Sequence, residues 1–95
     1  MNNINVAIQI LPISSVYSDP IKIIDKAIEL IIKSGLNYKV CPFETVVEGE
    51  YDKVFELVKS IQEECYKHGA EELICNLKIH TKHNNSVYIS EKMEK

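Results

Sequence analysis

The sequence predicts an α+β domain in which strands and helices follow in the order β-α-β-β-α-β. Four short segments alternate apolar and polar residues with the period of a strand, and two longer segments place apolar residues every three to four positions, as amphipathic helices do. Proline and glycine residues mark several of the boundaries between segments. A chain of 95 residues can bury roughly two-thirds of its unfolded surface. We therefore expect one domain, residues 1–95.

The first strand and the first helix lie in the N-terminal third of the chain. Alternation predicts a strand over residues 6–11, which Pro12 is expected to end, and a loop over residues 13–18. Asp19, followed by proline, has the chemistry of an N-cap, and Gly35 is a natural C-terminal cap. Between them runs a helical stripe of Ile21, Ile24, Ile28 and Ile31, broadened by Ala27 and Ile32.

Two strands separated by a turn precede the second helix. They are predicted over residues 36–41 and 43–48, with Pro42 at the turn and Gly49 breaking the second of them. Acidic residues then stand where a helix N-terminus favours negative charge. The second helical stripe comprises Tyr51, Val54, Phe55, Val58, Ile61 and Cys65, and it is closed by His68 and Gly69.

The last predicted strand covers residues 72–80. A polar loop over residues 81–86 follows, and residues 87–95 are expected to end in a short helix beginning near Ser90. With both main helices on one face, this order is that of a ferredoxin-like fold, with an antiparallel sheet of strand order 4-1-3-2.

The alternation also assigns residues to the two faces of the sheet. The face toward the helices is predicted to hold Val6, Ile8, Ile10, Leu36, Tyr38, Val40, Thr45, Val47, Leu73, Cys75, Leu77 and Ile79. The open face is predicted to hold Ala7, Gln9, Leu11, Glu44, Val46, Glu48, Ile74, Asn76 and Lys78. That mixture is too apolar for a face left in water, so we expect another subunit to cover it, most simply in a homotetramer.

Composition excludes several classes of function. A formal net charge of −3 argues against a general nucleic-acid surface, and no apolar stretch is long enough to span a membrane. The three cysteines lack C-x-x-C spacing, and no basic, apolar leader precedes the first strand, so we expect a cytoplasmic protein. His80 and His83 are too few ligands for a zinc site, so neither a metal nor a cofactor is expected. No nucleophile elbow, phosphate-binding loop or dinucleotide fingerprint is present, so catalysis is not expected.

The most informative segment is Cys41-Pro42-Phe43-Glu44-Thr45-Val46-Val47-Glu48-Gly49-Glu50, a strand with acidic residues just before a helix. Together with Asn76-Leu77-Lys78-Ile79 and the opening Ile8-Gln9-Ile10-Leu11-Pro12, it resembles the small thiamine-binding, YkoF-like proteins over nearly the whole chain. The most specific element of the resemblance is Thr45-x-x-Glu48-Gly49. The resemblance implies dimers assembled into a tetramer, and binding of thiamine or its hydroxymethylpyrimidine moiety without established catalysis.

An aminopyrimidine suits the predicted open face chemically. Glu48 can accept from the exocyclic amine, Asn76 can donate and accept at once, and hydroxyls are available nearby. Glu48 and Asn76 lie two strands apart, about 10 Å, with the small Ala7 between them. We therefore predict a ligand site on the open face at a subunit interface. The predicted ligand-binding residues are Ser14, Ser15, Thr45, Glu48, Asn76 and Lys78.

Plainer interpretations stand beside this one. Glu48 and Lys78 could form an interfacial ion pair, and Thr45 could simply pack against the helices. The chain could be an oligomeric regulatory or interaction module with no small-molecule ligand. An acylphosphatase-like enzyme on the same fold would require an arginine, and the chain contains none.

Overall fold

A four-stranded antiparallel sheet carries two long helices on one of its faces. The computed structural model describes residues 2–15 and 19–93, apart from the side chains of Ser14 and Ser15. The strands are β1 (Asn3–Ser15), β2 (Asn37–Val40), β3 (Thr45–Glu50) and β4 (Ala70–His80), and the helices are α1 (Pro20–Lys33), α2 (Tyr51–Lys67) and α3 (Ile89–Met93).

The strand order is β2-β3-β1-β4, which confirms the predicted order and the ferredoxin-like α+β fold. Antiparallel registers set Val6 opposite Val47 and Ile79, and Ala7 opposite Val46 and Lys78. Because directly opposed residues share a face, the two predicted faces of the sheet are also confirmed.

The core lies between the sheet and the two long helices. Val6 and Val47 at its centre pack with Ile23 of α1 and with Val54 and Ile61 of α2, all fully buried. The edge strand β2 takes less part, because Tyr38 and Val40 stay 40% and 46% exposed on the helix side.

The buried face of α1 differs from the predicted stripe: Ile23, Ala27 and Ile31 are buried, whereas Ile21 and Ile32 were wrongly assigned and are 66% and 51% exposed. Burial of this face supplies most of the stabilisation of the helix, since β-branched residues are only moderate helix formers.

The predicted ends of α1 are confirmed. The Asp19 side chain accepts a hydrogen bond from the backbone N–H of Ile21 at 2.8 Å, with Pro20 at the first helical position. At the other end Gly35 has a positive φ of 81°, a conformation that glycine adopts without strain.

Strand β1 is longer than predicted, so the loop assignment was wrong for residues 13–15. Pro12 does not end the strand, because the pairing with β4 shifts register between Pro12 and Ser15 and continues to Ala70. Such an irregularity lets a ladder pass a residue that has no N–H to donate. The rest of the predicted loop, residues 16–18, lies outside the described residues.

Gly49 does not break β3, which runs to Glu50 and pairs Gly49 with Ile4. A Cβ at this position would lie 3.1 Å from Leu36 Cδ2 and 3.3 Å from Val54 Cγ2. The glycine is therefore explained by close packing and not by a turn, because β3 approaches both α2 and Leu36, the residue before β2.

Candidate functional site

The six predicted ligand residues do not converge on one place. Glu48, Asn76 and Lys78 lie on the open face, whereas Thr45 lies on the helix side of β3. Ser14 and Ser15 lie at the far end of β1, opposite Glu72 and Ala70, and their side chains are outside the described part of the chain. The predicted residues whose side chains are described therefore fall into two regions, one on each face of the sheet.

The register separates Glu48 from Asn76 by more than the predicted two strand spacings. Glu48 pairs opposite Asn5, while Asn76 pairs opposite Gln9, four residues further along β1. Four residues correspond to about 13 Å along the strand, and two strand spacings to roughly 10 Å across the sheet. Because these two directions are perpendicular, the two Cα atoms lie about 16 Å apart. The predicted separation of about 10 Å was therefore wrong, and a single pyrimidine does not span the distance between Glu48 and Asn76 of one chain.

Asn76 and Lys78 are exposed and have partners of their own. The Asn76 amide donates to Gln9 Oε1 at 3.1 Å, and Lys78 Nζ lies 3.6 Å from Glu44 Oε1. Within the described chain Lys78 therefore pairs with Glu44, and an ion pair between Glu48 and Lys78 of different subunits stays a prediction. Both contacts are solvent-exposed, and each contributes little to stability.

Glu48 is the most deeply buried carboxylate of the open face, at 6% exposure. Asn37 Nδ2 donates to its Oε2 at 2.9 Å, and Asn5 Nδ2 and the Ile89 backbone N–H donate to its Oε1 at 3.4 and 2.5 Å. Asn5, Asn37 and Glu48, which come from three adjacent strands, are named the Glu48 cluster. Lys92 completes the arrangement by donating to Asn5 Oδ1 at 2.6 Å.

The electrostatics of the Glu48 cluster favour a charged carboxylate. Burial by itself raises the pKa of Glu48, but the hydrogen bonds from Asn37, Ile89 and Asn5, together with the positive charge of Lys92, outweigh it. The pKa of Glu48 is therefore lowered from the ordinary glutamate value. A negative charge sits on this face at neutral pH, held by three hydrogen-bond donors of the same chain and by the nearby charge of Lys92.

The second region is a cavity on the helix side, between α1 and the turn that joins β2 to β3. Its volume is about 280 Å³. The walls are largely apolar, with Ile24, Ala27, Ile28 and Ile31 from α1 and Ile8 and Ile10 from β1. Phe43 lines it while remaining 83% exposed.

Two polar residues line this cavity, Thr45 in β3 and Glu44 just before it. Thr45 is buried, yet its hydroxyl makes no hydrogen bond to any residue that the structure describes. Glu44, which also lines the cavity, is half-buried. A mostly apolar space with a few polar groups is the usual composition of a small-molecule site.

Other reactive side chains are not arranged for chemistry. Burial, helped by the neighbouring Cys75 and Glu64, raises the pKa of the Cys65 thiol to about 11, and burial also raises the pKa of Cys75. Both thiols are therefore protonated at neutral pH. Within residues 2–15 and 19–93, no group of three His, Cys, Asp or Glu side chains could hold a metal ion, and no helix is long and apolar enough to cross a membrane.

Comparison with known proteins places this fold and strand pattern in a family. Residues 6–95 match the family described as thiamine-binding protein. The chain belongs to the thiamine-binding protein family. A UPF0045 protein of Clostridium perfringens is 40% identical over 95 residues, which cover 100% of this chain and 98% of that protein.

Solved structures agree with the thiamine-binding protein family's fold. A domain of unknown function, DUF77, from Bacillus cereus superposes with a TM-score of 0.91 at 36% identity, covering 97% of this chain and 88% of that one. A Thermotoga maritima protein, provisionally assigned to thiamine biosynthesis or salvage, superposes with a TM-score of 0.85 at 30% identity, covering 96% and 95%.

Sequence reasoning missed the partners of Glu48 in this thiamine-binding family member. The C-terminal residues Ile89 and Lys92 reach Glu48 and Asn5 across more than 40 and 80 positions of sequence, respectively. One signal in the sequence could have indicated these partners, namely the short helix predicted near Ser90. The first N–H groups of a helix lack partners within it, so a carboxylate can accept hydrogen bonds from them.

Proposed function

We propose that the protein is a non-catalytic, cytoplasmic binding protein for thiamine or its hydroxymethylpyrimidine moiety. Membership of the thiamine-binding protein family supports a thiamine-related role, and the relative from Thermotoga maritima points the same way. The observation that carries the proposal is the 280 Å³ cavity in which the Thr45 hydroxyl has no hydrogen-bond partner among the described residues.

The chemistry of the cavity matches an aminopyrimidine. A hydroxyl can donate to a ring nitrogen or accept from the exocyclic amine, so Thr45 can serve either edge of the ring. The Glu44 carboxylate, whose exposed partner Lys78 lies 3.6 Å away, has further acceptor capacity for the amine, a charge-assisted contact if the ring is protonated. Isoleucines of α1 and β1 provide the flat apolar walls that an aromatic ring buries against.

This position differs from the open-face site predicted from the sequence. Glu48 already accepts three hydrogen bonds from its own chain, whereas Thr45 accepts none. A ligand at Glu48 would first have to displace those donors. Thr45 therefore stays in the proposed site, and Glu44 joins it. Ser14 and Ser15 stay predictions from the sequence.

Replacing Thr45 by valine tests the cavity directly. Thr45→Val keeps the shape of the side chain but removes its hydroxyl, so thiamine or hydroxymethylpyrimidine should bind about fivefold more weakly, the equivalent of about 1 kcal/mol. Isothermal titration calorimetry with both ligands measures this, and Thr81→Val, in an exposed position, is the matched control. Equal affinity in the wild type and Thr45→Val would place the ligand elsewhere.

We also propose that the open face is the interface of a homotetramer, a dimer of dimers. Leu11, Ile13 and Ile74 are 38%, 51% and 46% exposed on this face or at its end, more apolar surface than a strand face normally leaves in water. Val46, which is half-buried, lies on the same face opposite Ala7. If no ligand bound while this assembly persisted, the alternative interaction module would be favoured.

Ile74→Glu should dissociate the tetramer into smaller species, because an unpaired carboxylate at the centre of a subunit interface carries a large desolvation cost. Analytical ultracentrifugation at micromolar concentration measures the change. Ile32→Glu on α1, at the similar exposure of 51%, is the control and should leave the assembly intact. A monomeric wild type would refute the interface.

A further inference from the structure

Strand β2 forms one edge of the sheet and pairs only with β3 among the described strands. In an antiparallel ladder, successive residues point their N–H and C=O groups alternately toward the neighbouring strand and away from it. Just after β2, the Cys41 N–H donates to Glu44 O at 2.9 Å, so residues an even number of positions from Cys41 point toward β3. The N–H and C=O groups of Tyr38 and Val40 therefore point outward, away from the sheet.

The side chains of the same two residues form an exposed apolar surface on the helix side of this edge. Tyr38 pairs opposite the buried Val47, which fixes its face, and Val40 lies two positions further on. Both side chains stay exposed, because α1 covers them only in part. Phe43, in the turn that follows, is also exposed and lines the same cavity as Val40. A side chain added on this side of the edge would therefore contact an apolar surface.

Lys39 lies between Tyr38 and Val40 and points to the other, open side of the sheet. It is exposed, and its ammonium makes no ion pair within residues 2–15 and 19–93. An incoming strand that hydrogen-bonds with Tyr38 and Val40 places one of its own residues directly opposite Lys39. Opposite charges in that position stabilise a strand pair. The edge therefore favours an acidic residue there, with an apolar residue on each side of it.

A second copy of the chain fits this edge poorly. Two β2 strands related by a two-fold axis engage both Tyr38 and Val40 only when the axis passes between their two Lys39 residues. That arrangement sets the two lysines directly opposite each other, with Cα atoms about 4.5 Å apart, and like charges so placed destabilise the pair. The strand is also only four residues long, about 13 Å, a short contact for a stable interface of about 1,000 Å² or more.

We propose that the β2 edge binds an extended peptide segment of another protein, in which an acidic residue stands between two apolar residues. The segment adds a fifth strand to the sheet through main-chain hydrogen bonds with Tyr38 and Val40. Its apolar side chains pack beside those two residues on the helix side, and its acidic side chain pairs with Lys39. The proposal depends neither on pyrimidine binding beside Thr45 nor on the interface proposed for the open face.

Titration of the whole, isotope-labelled chain with capped synthetic peptides tests the edge. The probe is serine-isoleucine-glutamate-isoleucine-serine, and its counterpart has lysine in place of glutamate. The glutamate peptide should shift the amide NMR signals of Tyr38 and Val40 in a saturable manner and slow their hydrogen exchange. The lysine peptide should bind about fivefold more weakly. A glutamate peptide methylated at both isoleucine nitrogens should not bind, because it cannot donate to the Tyr38 and Val40 carbonyls.

A charge reversal in the protein completes the test. Lys39→Glu should reverse the preference, so that the lysine peptide binds about fivefold more tightly than the glutamate peptide. Lys59→Glu makes the same change at an exposed position of α2 and should keep the wild-type preference. No response at millimolar peptide, equal binding of the two charged peptides, an unchanged preference in Lys39→Glu, or full binding of the methylated peptide would each overturn the proposal. So would slow exchange of the Tyr38 and Val40 amides before peptide is added, because another copy of the chain would then occupy the edge.

Discussion

Replacing Glu48 by alanine is expected to lower the free energy of unfolding by about 3 kcal/mol. The variant removes the acceptor of the Asn37 amide and the Ile89 N–H, and one acceptor of Asn5, at a carboxylate that is only 6% exposed. It also removes the charge that faces Lys92. Urea denaturation at neutral pH measures the loss.

Glu29→Ala is the control for the Glu48 variant. Glu29 is exposed and lies 3.4 Å from Lys26 in a helical i,i+3 pair, so its loss should change stability by less than about 0.5 kcal/mol. A loss as small as this in Glu48→Ala would mean that water replaces the missing acceptor.

The lowered pKa of Glu48 makes the stabilisation that its hydrogen bonds provide depend on pH. Since the folded-state pKa lies below the ordinary value of 4.5, the stabilisation is fully present above 4.5 and is lost as the pH falls through the folded-state pKa. The stability difference between wild type and Glu48→Gln should therefore shrink on acidification. A difference that stayed constant would exclude a charged Glu48.

Ile61→Ala should have an effect of similar or larger size, about 3–4 kcal/mol. Ile61 is fully buried in α2, and shortening it leaves a cavity between the helix and the sheet that close-packed neighbours fill only in part. Denaturant unfolding should show a lower midpoint at an unchanged slope, as expected when the two-state transition is retained.

Ile32→Ala makes the same chemical change on α1 at 51% exposure, and it should cost less than about 1 kcal/mol. If Ile61→Ala and Ile32→Ala lowered the free energy of unfolding of the monomer equally, the core would not lie where the burial pattern puts it. A large loss only in Ile32→Ala would indicate that α1 is covered by another subunit.

Thr45 and Glu48 illustrate how much of the candidate site was predictable. Alternation along β3 assigned Thr45 to the helix side and Glu48 to the open face, and the structure confirms both assignments. That the two residues serve different regions follows from the same alternation, since positions three apart in a strand point to opposite faces. The cavity beside Thr45 was not predicted, because its walls come from β1, α1 and the turn before β3.

By itself, the sequence determined the fold and the two faces of the sheet. The element order, the helix ends at Asp19 and Gly35 and the apolar periodicity are local properties, each of which depends on residues a few positions apart. Only the tertiary structure decided the strand register and the continuation of β1 beyond Pro12. It also decided the close packing around Gly49 and the covering of Glu48 by the C-terminal residues 86–93. Each of these depends on contacts between distant segments, whose geometry is set by packing of the whole domain and leaves no periodic signal along the chain.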